Sequence, residues 1–579
     1  MDPSAPARSS FFTTPVPNDD YLWTAGFFNE RFPDVVSPLG WSVVRRLVEQ
    51  TAFREPLSFV GYRPPLDYPL TKLYRGHVYT NVGVFQRLYR VFPAVLVPRS
   101  AGHYFPNVDT SLRLAVPAPS RTRFIESVVH MFISEKGWHP FNFAVWVRFV
   151  RRFDAGVAGS LQKIEAGGPP SALLDQIENL MALSLDLLRL HRWSLTYADV
   201  FLDMLRRLVS TWVDAGEVEE LTAALLSGLP NKSTATDAAL WRLAQQAATL
   251  DAALLDCLRD GRFSSFLDAL DATPAGRRFA QSFDGFLADY GNRSPSLDLR
   301  YPAYADDPAG VLALMAQLLD VGGEGPAARE RAQEQRRMSA TRQVRRALGV
   351  LSIRWWVFRV LLSFAQRYTI LREDQRYYWQ KSMYGKRQAF VRIGQAWAAR
   401  DVLARSDDVF FLTLEEISGV ARGWLRVPEI RKLIAERRVE FEALQGTPYP
   451  AFLRGESVPG EVALGCDGVP SRLSGLPVSP GRVRGPALVV SGPAALGGAW
   501  RRTSSNSVLV TSSTDPAWTP LFLRVGGLVM ERGGQLSHGA VVAREYGLPA
   551  VVGVAGALDR IADGQLIEVD GGTGTVTLL

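Results

Sequence analysis

Apolar residues recur at the three-to-four-residue spacing of amphipathic helices along most of this chain, and that period predicts a mainly helical protein. From about Ser171 to Asp260, Leu173, Leu174, Ile177, Leu180 and Met181 form one stripe, resumed by Leu202, Leu205 and Leu208. His191, between Leu190 and Trp193, is expected to pack inside that bundle. Asn231-Lys232-Ser233-Thr234 predicts a turn and an N-cap before another long helix. Long helices follow the glycine-rich 322–326 segment and reach Tyr378, and one more runs from about Val427 to Leu444. Trp355 to Leu362 is the most apolar helical stretch; it is short and carries Arg359, so it predicts a buried helix and not a membrane span. Tyr74 to Gly83 alternates instead with the period of a strand, predicting a small sheet element that bears an exposed, functionally neutral His77.

Near the C-terminal end the pattern changes again. Gly527-Leu528-Val529-Met530 predicts a buried strand, Gly533-Gly534 a tight turn, and Ser537 the N-cap of a helix over His538–Tyr546 that Gly547 and Pro549 end. His538 then falls in the first helical turn, where unbonded backbone N–H groups and the positive end of the helix dipole favour an anion. A phosphoryl group carried on its imidazole would be stabilised there.

Composition narrows the function classes. With 579 residues, 47% of them hydrophobic and 21% charged, the chain can bury a sizeable core and is expected to form two or more domains. Met1 to Asp20 lack the basic start and apolar core of a secretory signal and read as a flexible lead-in. Cys257 and Cys466 are too few for a disulfide framework or a zinc site, so no metal centre is expected and a reducing cytoplasm fits. The net charge of +7 is small for this length. The densest basic run, Arg329 to Arg346, includes Glu330 and Glu334 and no aromatic residues for base stacking, which predicts a solvated helix face and no nucleic-acid partner; without a spanning stretch, no membrane partner is expected either.

The sequence around His538 resembles a known family. Thr511-Ser512-Ser513-Thr514-Asp515-Pro516-Ala517-Trp518-Thr519-Pro520-Leu521 and Gly475 to Pro486 precede it, and together with Gly533 to Pro549 they resemble the swivelling phosphohistidine domain of the phosphoenolpyruvate synthase and pyruvate phosphate dikinase superfamily, closest to the rifampin phosphotransferase branch. Trp23 to Leu39, Tyr74 to Gly83, Asp289-Tyr290-Gly291-Asn292-Arg293 and Asp407 to Glu416 resemble landmarks of that branch's substrate-binding region. Two positions depart from it: Ser294 stands where a glycine commonly follows the arginine, and the next acidic position is displaced to Asp298.

The resemblance implies a multidomain α plus α/β protein: a lead-in over residues 1–20, a large, mainly helical substrate-binding domain with a small β element over 21–445, a hinge over 446–474, and an α/β swivelling phosphohistidine domain over 475–579. It implies transient phosphorylation of His538, with Gly533, Gly534, Ser537, Thr514 and Arg544 as the phosphate cradle. Arg293 is expected either to steady a phosphoryl group or to pin a loop. Arg372 and Arg376, four apart on one helical face, are expected either to bind phosphate or to pair with Glu373 and Asp374. Full-length relatives begin with an ATP-grasp domain, and neither that domain nor a Gly-x-x-x-x-Gly-Lys-Ser/Thr loop is recognisable here. The expectation is therefore a phosphotransferase component that receives its phosphoryl group from a separate ATP-grasp protein, which handles ATP and Mg²⁺, and passes it to a small organic acceptor. The alternative is a non-catalytic ligand-binding or regulatory relative that retains the fold.

Overall fold

The computed structural model describes residues 10–29, 31–32, 34–90, 120–134, 143–213, 218–319, 326–447, 449–457, 472–490, 502–514, 518–522, 524–534 and 537–579. Residues 322–325 of the glycine-rich segment, most of the expected hinge, Asp515–Ala517, and Gln535 and Leu536 lie outside them. The chain divides into two compact units: Met1–Trp193, Ser296–Arg300 and Ser382–Cys466 form one, and Ser194–Pro295, Tyr301–Lys381 and Asp467–Leu579 form the other. Residues 21–445 thus contribute to both units, and the last boundary falls inside the 446–474 connector.

In the first unit a four-stranded antiparallel sheet brings distant segments together. Its strands β1 (Leu22–Thr24), β2 (Thr71–Tyr74), β3 (His77–Asn81) and β4 (Phe452–Arg454) lie in the order β2-β3-β1-β4, with Trp23 opposite both Asn81 and Leu453. The β2–β3 turn places Arg75 and Gly76 at φ 51° and 75°, the left-handed pair that suits the twist of a two-residue hairpin loop. His77 is buried, contrary to the expectation for an exposed strand histidine: its ring stacks on Tyr449 with centroids 3.6 Å apart, because the sheet is covered on that side by the segment leading into β4. Ser37 caps the helix Pro38–Val48, its hydroxyl accepting the Gly40 N–H, and the buried Asp298 carboxylate accepts the Ser37 N–H at 2.6 Å. The displaced acidic residue thus serves here as a brace for a helix start.

The second unit contains several helices whose starts follow local rules. Asn231 caps Lys232–Ala247 in a reciprocal capping box with Thr234, Asp251 caps Ala252–Arg259, and Thr273 followed by Pro274 starts Pro274–Tyr290. Their apolar faces, with Leu243, Phe279, Phe283, Leu312 and Met315, close one core. Trp355 to Leu362 is buried only on one side: Trp355, Phe358 and Leu362 are enclosed, whereas Trp356, Val357 and Val360 face outward. The expected fully buried helix is therefore an amphipathic one with a second, bare apolar stripe.

The C-terminal part of this unit is an α/β layer around an eight-stranded sheet. Strands β5 (Arg472–Ser474), β6 (Leu476–Ser479), β7 (Arg482–Val490), β8 (Val508–Thr511), β9 (Gly527–Met530), β10 (Ala550–Val552), β11 (Leu566–Asp570) and β12 (Thr575–Leu578) lie in the order β5-β12-β11-β7-β8-β9-β10-β6. The four central strands, β7 to β10, are parallel. Side chains alternate between two faces along them. Leu488, Leu509, Leu528 and Met530 join Trp518, Leu521, Ala540 and Ala543 in one core, and Val508, Val510, Val529 and Val551 join Ala557 and Ile561 in another. Burial on both faces explains why β8 and β9 read as continuous apolar runs.

Candidate active site

The helix His538–Tyr546 follows the C-terminal end of the parallel strand β9, the edge of an open α/β sheet at which ligands commonly bind. Its start is built by residues that the chain leaves little choice about. Gly533 adopts φ +113°, and a Cβ there would lie 2.8 Å from the Met530 methyl and 3.0 Å from Ser537 Oγ. The Gly534 carbonyl accepts the Ser537 N–H at 2.9 Å, closing the turn. Ser537, with extended backbone and a buried side chain, accepts the Ala540 N–H and is the N-cap, as the sequence predicts. His538 is the first helical residue. Gly547, in the left-handed conformation, ends the helix, with Leu548 N–H bonded to the Ala543 carbonyl.

Thr514 reaches this start from the end of β8. It is buried, and its hydroxyl lies 3.5 Å from Met530 Sδ. Both groups crowd Gly539: a Cβ there would come within 2.4 Å of Thr514 Oγ1 and 2.5 Å of Met530 Sδ. The residue after His538 must therefore be glycine for the first turn to seat under Thr514. Gly533, Gly534, Ser537 and Thr514 converge on the helix start. Gly539 belongs with them, although sequence reasoning singled it out for nothing; a glycine inside a helix start costs stability and is itself a signal of close approach.

Arg544 is placed elsewhere. It lies six residues, about 9 Å, along the helix from His538, and its guanidinium donates to the Val478 carbonyl at 3.4 Å. Burial lowers its pKa to about 10, with the charges of Glu545, Arg372, Arg206 and Glu373 acting on it as well. Arg544 lines a cavity of about 780 Å³ that also meets Val541, Glu545 and Arg206 along the flank of the helix. Arg376 acts electrostatically on Arg293. The two arginines that share a face thus serve different neighbours, and among the described residues neither forms an ion pair with Glu373 or Asp374.

Arg293 is fully enclosed. It donates to Gln380 Oε1 at 3.0 Å and to Thr236 Oγ1 at 3.2 Å, and it lies over the Tyr377 ring at 5.0 Å. Burial lowers its pKa, and its partners are neutral acceptors that fasten the 291–295 loop to two helices.

The C-terminal half of the His538 helix is held against the helical part of the same unit. The buried Glu545 carboxylate accepts the Gly228 N–H at 2.8 Å, and Tyr546 donates its hydroxyl to Asp237 Oδ2 at 2.8 Å. Burial pushes both carboxyls up to about 7, against the N–H groups of Gly228 and Leu229 and the Arg544 charge for Glu545, and against the Tyr546 hydroxyl and Arg293 for Asp237. These docking groups escaped sequence reasoning, since nothing local pairs Glu545 with a backbone more than 300 positions away. Among the described residues no group of three or more His, Cys, Asp or Glu side chains is placed to hold a metal ion.

Comparison with known proteins fits this geometry. Residues 503–574, which contain the whole helix start, match the mobile domain of PEP-utilising enzymes, and residues 194–373 match the rifampicin phosphotransferase fourth domain. In sequence the chain is similar to rifampicin phosphotransferases. It is 35% identical over 320 residues to the rifampicin phosphotransferase of a Streptomyces species, covering 54% of this chain and 36% of that one. To the rifampicin phosphotransferase of Bacillus subtilis it is 30% identical over 335 residues, 56% of this chain and 37% of that one. A chondramide synthase of Chondromyces crocatus is 33% identical over 376 residues, 62% of this chain and 10% of that protein. The match to the rifampicin phosphotransferases thus spans little more than a third of their length. No described helix is long and apolar enough to cross a membrane.

Proposed function

We propose that this chain is a phosphotransferase component in which His538 carries a phosphoryl group from a separate ATP-grasp protein to a hydroxyl of a small organic acceptor. The observation that carries the proposal is the position of His538 as the first residue of a capped helix. Gly533, Ser537, Gly539 and Thr514 seat that start against strand β9 in a segment matched to the mobile domain of PEP-utilising enzymes. A helix start offers unbonded N–H groups and positive dipole charge to the phosphoryl oxygens.

The transfer is divided into two displacements. An imidazole nitrogen attacks phosphorus, forming a P–N bond as the donor P–O bond breaks; the acceptor oxygen then attacks, breaking the P–N bond while its proton leaves to a base. Neutral imidazole is competent for the first step near neutral pH. Arg372, without an ion-pair partner among the described residues, can offer its donors to the group in transit. Mg²⁺ and ATP act on the loading partner, and no residue of this chain is assigned to them.

The test uses the full chain, a separate ATP-grasp protein and labelled ATP. Label is expected on this chain only when both proteins are present, and His538→Ala is expected to lose label and acceptor turnover together. Normal turnover by His538→Ala would replace the carrier with direct transfer.

A further inference from the structure

The helices Pro326–Leu348 and Ile353–Ala398 are joined by a short turn at residues 349–352, and the corner they make is apolar where it should be polar. Leu351 is 92% exposed, Ile353 79% and Trp356 53%, with Val357 and Val360 also exposed. Ile353, Trp356, Val357 and Val360 stand at the i, i+3, i+4, i+7 spacing of one stripe. The neighbouring stripe of Trp355, Phe358 and Leu362 already supplies the helix with its buried face. The outer stripe is therefore not needed by the fold, and large aliphatic side chains left this bare mark a contact surface.

Along the two helices that form the corner, the charge near the turn is of one sign. Between Glu334 and Glu373 the sequence has no acidic residue and nine arginines. Arg342, Arg345, Arg346, Arg354 and Arg359 are exposed, and among the described residues none of these five forms an ion pair. Two lie over aromatic rings, Arg354 over Trp212 and Arg359 over Trp356.

From these observations we infer that this corner docks on an anionic lipid surface, with Leu351, Ile353 and Trp356 entering the headgroup layer and the five arginines meeting lipid phosphates. Near-complete exposure at Leu351 and Ile353 describes a convex tip without walls, the shape that a deformable bilayer accepts and that a protein partner would have to match with a pocket. A nucleic acid would satisfy the arginines and leave the aliphatic tip in water. Tryptophan and arginine are residues that settle at the membrane interface, ring at headgroup depth and guanidinium toward phosphate. The sequence expectation of no membrane partner rested on the lack of a spanning segment, which a surface-docked corner does not need.

The full chain should co-sediment with vesicles of phosphatidylcholine plus phosphatidylglycerol and not with phosphatidylcholine alone, and salt should weaken the binding. Each arginine replaced by glutamine should cost roughly fivefold in affinity, so Arg342→Gln/Arg345→Gln/Arg346→Gln should lose binding by about two orders of magnitude. Leu351→Ser/Ile353→Ser should lose the residual, salt-resistant binding. Lipids brominated in the acyl chains should quench tryptophan emission in the wild type and less in Trp356→Phe. All these positions are exposed, so unchanged thermal melting will separate lost docking from lost fold. The inference is overturned if anionic vesicles are not bound, if the arginine variants bind them undiminished, if a nucleic acid is bound in their place, or if the tip instead forms a dimer that Leu351→Ser/Ile353→Ser dissolves.

Discussion

Gly539 decides the geometry of the helix start more than any other single position. A Cβ at this position would meet Thr514 Oγ1 and Met530 Sδ so closely that Gly539→Ala must push one of them or the helix aside. The expected loss is about 1–3 kcal/mol, as for other overpacked sites, read from the midpoint of urea unfolding. Ser537→Ala removes the cap and should cost about 1 kcal/mol, and Ser537→Asp should restore most of it. The positions of Ser537 as cap, His538 as first helical residue and Gly547 as stop were legible in the sequence because caps and stops are set by neighbours within a turn. The role of Gly539 was not, because its two constraining atoms come from strands and loops well upstream. Arg544 was grouped with the cradle by resemblance alone; in the fold, six helical residues carry it past the helix start, to the Val478 carbonyl.

At the scale of elements, the His538 helix is an anchored lever whose C-terminal half holds Glu545 on Gly228 and Tyr546 on Asp237. The folded pKa of Glu545 lies near 7 against 4.5 for a free carboxyl, and that of Asp237 near 7 against 3.8. Between those values the folded state keeps a proton that the unfolded state has lost. The contribution is therefore complete below the free pKa and is lost as pH rises toward 7, at up to ~1.4 kcal/mol per pH unit for one group. Glu545→Gln keeps an acceptor for the Gly228 N–H and removes the titration. Urea midpoints measured from about pH 5 to about pH 7 should fall less steeply in this variant than in the wild type; an unchanged slope would show that Glu545 does not carry the effect. The helices themselves were largely legible: Asn231 begins its helix and the helix Val427–Leu444 has the expected bounds. Periodicity could not say which of two apolar stripes on the Trp355–Leu362 stretch would be covered, nor that Tyr449 would close over His77. Both depend on segments remote in sequence.

For the molecule as a whole, the α/β part was readable because its central strands are buried on both faces and its motif words are local. The division of residues 21–445 between two units was not, since contacts between distant segments create it. The chain contains no recognisable nucleotide loop, so ATP and Mg²⁺ alone should leave it unlabelled; rapid self-labelling would reveal a nucleotide site within these 579 residues. The central claim is that His538 is the phosphoryl carrier, and it can be tested without the loading partner. The folded chain is treated with phosphoramidate, a small donor that phosphorylates histidine, and acid-labile phosphate is mapped by mass spectrometry over its six histidines. His538 should take up phosphate first and His538→Ala should remove that rapid phase; phosphate spread evenly over the histidines, or a rapid phase that survives in His538→Ala, would contradict the account.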